Sequence, residues 1–164
     1  MGETLTGIIP GASRKKNLLS NEGFNIIVTS QRMVFALMTS QMIQEEAKRN
    51  SAGKGFFGGV AAGMSAGYNL WRRYLEIPAE QALLENPENF DIKLNQIHRV
   101  KFDGGRTLLK KGPISIGLNI NRGDDDDEPA KLEIETMSGK YKFEIATEFQ
   151  DEAREVLKRA GLIS

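Results

Sequence analysis

The sequence predicts an α+β fold, in which alternating strands are followed by one amphipathic terminal helix. Ile114, Ile116, Leu118 and Ile120 alternate with Ser115, Gly117 and Asn119, the period of a half-buried strand. Leu132 and Ile134, then Tyr141, Phe143 and Ile145, keep the same period on either side of Ser138-Gly139, which predicts a hairpin. Phe149, Ala153, Val156, Leu157 and Ala160 then fall on one helical stripe, with Gly161 where a C′ glycine belongs. At 164 residues the chain is long enough for one domain with its own core, taken as residues 1–164.

The other elements follow in order. Leu5, Ile8 and Ile9 form a short first strand closed by Pro10-Gly11, with Arg14, Lys15 and Lys16 in a polar loop behind it. Residues 24–29 and 33–37 are β-branched or apolar runs separated by Ser30-Gln31-Arg32, a tight hairpin. Residues 41–50 are charged and helix-forming. Pro78 opens a short helix that Asn86-Pro87 stops. Residues 97–102 return to strand and end at Asp103-Gly104-Gly105. Thr147 with Gln150 forms a capping box for the last helix. About seven strands result, capped by a C-terminal helix, with a helical insert at 41–91 after the third strand.

Composition excludes several kinds of chemistry. Cysteine is absent and His98 is the single histidine, which removes thiol nucleophiles, Cys/His zinc sites, iron–sulfur clusters and disulfides. Gly63-Met64-Ser65-Ala66-Gly67 spells a nucleophile elbow, but the elbow needs a parallel sheet around it, and His98 lies inside a predicted strand. Asp124-Asp125-Asp126-Asp127-Glu128 lacks the spaced ligands of a calcium loop and is expected to be a solvated connection. No catalytic residue, cofactor, metal site or small-molecule substrate is therefore expected.

Lys+Arg and Asp+Glu balance at 22 each, so no bulk field draws the chain to nucleic acid or lipid. The charges nevertheless alternate in blocks. Residues 98–123 hold six basic groups against one acidic, and residues 124–164 hold six against twelve. Such blocks either form local patches or pair across a sheet. No basic segment precedes an apolar stretch at the N-terminus, so no signal peptide is expected. A cytoplasmic location, with peripheral contact at a membrane, is the expectation.

The insert carries the most unusual pattern. Gly55, Gly59, Gly63 and Gly67 recur every fourth residue, which on a helix would make a face without side chains. Each interior glycine disfavours helix by about 0.8–1 kcal/mol relative to alanine, so such a helix needs packing in compensation. The segment packs on its own sheet, packs against another chain or helix, or dips into a membrane surface, helped by Lys54, Arg72 and Arg73 at its ends, with Trp71 as a further contact candidate.

Residues 27–35, Ile-Val-Thr-Ser-Gln-Arg-Met-Val-Phe, resemble the V-T-x-x-R-hydrophobic hairpin of bacterial and archaeal pleckstrin-homology-like (GRAM-like) domains. The closing hairpin and helix are similar to the end of that fold, and Arg73-Tyr74-Leu75 with Asn86-Pro87-Glu88-Asn89-Phe90 resembles a prokaryotic subgroup with a glycine-rich helical insert. The resemblance covers residues 1–40 and 92–161 in outline. It implies an antiparallel barrel or sandwich and a non-enzymatic module that binds protein, a second copy of itself, or lipid. The spaced Lys…Arg-x-Arg pattern of the phosphoinositide-binding kind is missing. Two uses stay open: protein interaction or self-association, and docking at an anionic lipid surface through Arg14, Lys15, Lys16 and the insert.

Overall fold

A computed structural model describes residues 2–51, 69–104 and 128–164. The chain runs through β1 (Leu5–Asn17), β2 (Ser20–Thr29), β3 (Arg32–Met38) and α1 (Ser40–Ser51). After a 3-10 turn at Leu70–Leu75 come α2 (Ala79–Leu84), β4 (Phe90–Lys93) and β5 (Ile97–Asp103). It closes with β6 (Ala130–Thr136), β7 (Gly139–Ile145) and α3 (Gln150–Arg159). The fold is α+β. Its strands form one seven-stranded sheet in the order β4-β3-β2-β1-β7-β6-β5, every pair antiparallel. Among the described residues no ladder joins β4 to β5, so the sheet is not closed into the barrel that the resemblance implies. The strand expected at 114–120, the nucleophile-elbow motif, the four spaced glycines and Asp124 to Asp127 lie outside the described residues.

The first strand is longer than expected. Pro10-Gly11 does not end β1, because the register against β2 shifts between Ile9 and Ala12 and a bulge absorbs the pair. Gly11 takes φ 64°, and a Cβ there would stand 2.8 Å from Phe149 Cδ2. Gly7 serves the same contact, since a Cβ on it would come within 2.6 Å of Val156 Cγ2. The bare backbone of β1 therefore seats α3, and the strand runs on through Arg14, Lys15 and Lys16, correcting their assignment to a loop. The insert also ends earlier than expected, at Asn89, because Phe90 and Asp91 pair with Phe35 and Val34 in β4.

The capping box does not form. A 3-10 turn at Thr147–Phe149 precedes α3, no side chain caps the helix, and Thr147 Oγ1 donates instead to Glu148 Oε2. The docking of Phe149 beside Gly11 moves the helix start past Thr147. At the other end Leu162 N donates to Leu157 O and Gly161 N to Lys158 O, a Schellman motif with Gly161 at φ 68°.

Two apolar layers result. On one face of the sheet Phe24, Ile26, Phe35, Leu132, Ile134, Phe143 and Ile145 are buried together with Ala153, Val156 and Leu157 of α3. On the opposite face of β1–β3, Ile8, Ile27, Val34 and Ala36 are covered by Tyr74 and Ala82 of the insert. Strands β2 and β3 are thus buried on both sides, which is why their sequences are continuous apolar runs. Strand β7 is covered on one side and alternates.

Candidate functional site

The tip of the β1–β2 hairpin is the most exposed apolar feature among the described residues. Its ladder continues through Arg14↔Glu22, Lys15↔Asn21 and Asn17↔Ser20, whereas β7 pairs with β1 only at Ala12 and Ser13 and β3 stops at Met38 opposite Gly23. A two-stranded ribbon therefore runs on unpaired with either neighbour. Its turn residues are Leu18 and Leu19, which are 102% and 97% exposed. Two-residue hairpin turns favour Asn-Gly or Asp-Gly, because φ is positive at the centre. Here, as throughout the described residues, no residue other than glycine has positive φ, and a register shift between Lys15 and Asn17 takes up the misfit. Asn17 Oδ1 accepts from Leu19 N at 2.9 Å and holds the turn. Leucine at both positions is poor turn chemistry, and neither packs into the core clusters of the described residues. Local rules broken without structural return are where functional or strained positions are expected.

Cations surround the base of this tip. Arg14 Nη2 and Lys16 Nζ each lie 3.0 Å from Glu22, and Lys16 lies 3.8 Å from Glu88. Lys16, then Arg14, hold the Glu22 carboxyl below the usual carboxylate range, and the hydrogen bond to Glu22 raises the Lys16 ammonium in turn. Lys15 points into solvent, with no ion pair among the described residues. The Arg14 guanidinium also lies over Phe24 at 5.1 Å and Phe90 at 5.3 Å from the ring centres, so it closes the aromatic end of the core. Where the ribbon diverges from β7, a groove of about 670 Å³ opens, with Arg14, Lys15 and Asn21 on one wall and Lys140, Tyr141 and Lys142 on the other.

The V-T-x-x-R motif has a structural use. Thr29 Oγ1 accepts from Gln31 N and Arg32 N across the β2–β3 turn. Arg32, 16% exposed, lies 2.8 Å from Glu3, 2.8 Å from Glu80 and 3.1 Å from Asp91. It thereby ties the start of the chain, the insert and β4 to one point. Its hydrogen bond holds Glu3 below the usual carboxylate range, although desolvation opposes this.

The expected insert residues sit elsewhere. Trp71 packs with the second apolar layer, and Arg72 lies 5.8 Å from its ring centre. Arg73 pairs with Glu85, which also accepts from the Tyr74 hydroxyl, and burial pushes the Tyr74 phenol up. Asn89 fastens the insert to the sheet: its Oδ1 accepts from Leu37 N, and its Nδ2 donates to Ala82 O, both at 2.8 Å. Arg14 to Lys16 and Trp71 to Arg73 thus belong to different layers and do not converge. His98 is exposed at a bulge of β5 opposite β6. Among the described residues no helix is long and apolar enough to cross a membrane. Reasoning from the sequence missed Leu18 and Leu19, although two adjacent leucines inside the polar run from Arg14 to Asn21 were a readable signal. No protein-family model, curated protein or solved structure matches the chain.

Proposed function

We propose that this chain is a non-enzymatic binding module of pleckstrin-homology-like fold that docks reversibly on anionic membranes through the β1–β2 tip. The fold part of this reading is supported by the strand order, by the terminal helix seated on β1, and by the position of the insert between β3 and β4. The functional part rests on one observation, the fully exposed Leu18-Leu19 pair on a ribbon whose base carries Lys15 and Lys16. An apolar tip above a basic collar matches a bilayer, where acyl chains lie beneath anionic headgroups.

The magnitudes suit a reversible contact. Each leucine contributes about 1.5–3 kcal/mol when it leaves water, and each lysine near an anionic surface about 1 kcal/mol. The sum of about 5–8 kcal/mol corresponds to half-binding at roughly micromolar to sub-millimolar accessible lipid. Protein interaction or self-association, the other use expected from the sequence, would draw on different features, the open edges of β4 and β5 and the exposed Leu84. Co-sedimentation with phosphatidylcholine vesicles, with and without phosphatidylserine, tests the proposal. Pelleting with the anionic vesicles that weakens as salt rises is the expected result. A chain that stays in the supernatant with both, at low salt, overturns it.

A further inference from the structure

We infer that the β6–β7 turn is a second membrane anchor, with Met137 as its inserting side chain, so that the protein stands on the bilayer on two apolar points that straddle the groove. This inference rests on the membrane reading of the β1–β2 tip and extends it to a different element.

The sheet register brings the two turns to one end. Ala12 and Ser13 pair antiparallel with Ile145 and Glu144, so β1 running on toward Leu18 and β7 running back toward Gly139 head in the same direction. Thr136↔Gly139 closes the β6–β7 hairpin, leaving Met137 and Ser138 as its turn residues. Met137 is 85% exposed. The turn is also held firmly: Thr136 Oγ1 accepts from Ser138 N at 3.2 Å and donates to Gly139 O at 3.0 Å. Both hairpins at this end therefore break the same rule, each with an apolar side chain at its first turn position and a side-chain-to-backbone bond that fixes it outward. A single exposed methionine needs no explanation. Paired with Leu18-Leu19 across one groove, it completes a surface.

Charge selects the occupant. Five cations line the groove: Arg14 pairs with Glu22, Lys131 with Glu128, Lys140 with Glu135 and Glu133, and Lys142 with Glu133, while Lys15 has no ion pair among the described residues. Exposed lysine pairs of this kind are worth under about 1 kcal/mol each and can exchange a carboxylate for a lipid phosphate, so a lysine-lined channel between two apolar tips matches headgroups at the level of the groove and acyl chains at the level of the tips. The strands would then run into the membrane, with the β7–α3 junction facing away from it.

The absence of cysteine makes the test direct, because one introduced thiol is the only labelling site. Leu18→Cys, Met137→Cys and Glu148→Cys variants would each carry an environment-sensitive nitrobenzoxadiazole label and be mixed with phosphatidylcholine/phosphatidylserine vesicles. Glu148 is exposed beyond the opposite end of β7 and serves as the reference. Labels at 18 and 137 are expected to shift to the blue and resist an aqueous quencher, while the label at 148 does neither. Met137→Asp is expected to weaken vesicle binding about tenfold with an unchanged urea midpoint. If the label at 18 inserts and the label at 137 stays in water, the second anchor is overturned and the first reading stands. If neither inserts, both fall.

Discussion

Arg32 and Arg14 are both strand arginines held by carboxylates, yet they do opposite work. Arg32 is almost covered and gathers Glu3, Glu80 and Asp91 from three separate parts of the chain. Arg14 and Lys16 both pair with Glu22, and Lys16 also lies 3.8 Å from Glu88, at the base of a ribbon that ends in exposed leucines. In the first centre three anions share one cation that is 16% exposed, although Glu80 is open to water, and the charges tie separate parts of the fold together. In the second, Arg14 and Lys16 are matched by Glu22 and Glu88, and on the membrane reading it is the exposed Lys15, without an ion pair among the described residues, whose charge is left for the lipid. On that reading the number of opposing charges, more than the presence of basic residues, separates a weld from a docking surface.

Removing the weld should have the largest effect on stability. Arg32→Met leaves three carboxylates facing one another without their cation, and because Glu80 and, in part, Glu3 and Asp91 are open to water, a loss of about 2 kcal/mol is expected, read as a lower urea midpoint. Vesicle binding by the folded fraction should stay as it was. A variant as stable as the parent would remove the distinction between the two centres.

Freeing the docking surface should have a smaller effect in the opposite direction. Glu22→Gln releases Arg14 and Lys16 from their carboxylate, and affinity for anionic vesicles should rise about fivefold, the equivalent of one more cation at the surface. A fall in affinity would mean that Glu22 positions the ribbon rather than competing with the lipid for its cations.

Acid sharpens the comparison further. The folded-state pKa of Glu3 lies below its unfolded value, so its contribution is complete above the ordinary carboxylate pKa and is lost as pH falls through the folded value. Stability should therefore decline below about pH 4, and the decline should be shallower in Arg32→Met, where Glu3 has already lost its partner. Equal slopes in urea titrations at pH 5 and pH 3 would contradict that assignment.

Much of the fold was legible because it is written in short-range periodicity. The alternation in residues 132–145 and the stripe from Phe149 to Ala160 place β6, β7 and α3 correctly. The run of β1 through Pro10-Gly11 was not legible, since a bulge that seats α3 depends on Phe149, far along the chain. The role of Arg32 was hidden for the same reason: its partners lie 29, 48 and 59 residues away. The docking tip was written locally, in Asn17-Leu18-Leu19-Ser20, but its meaning depends on exposure. Two leucines in a sequence are ordinary core material until the fold leaves them outside.

Partition of the Leu18→Asp/Leu19→Asp double variant between buffer and phosphatidylserine-containing vesicles, beside the parent chain, tests the docking claim most directly. The substitutions alter only exposed turn positions, so the urea midpoint should not move, and vesicle binding should fall by more than a hundredfold. A double variant that binds the vesicles as well as the parent would contradict the assignment of the tip as the membrane contact.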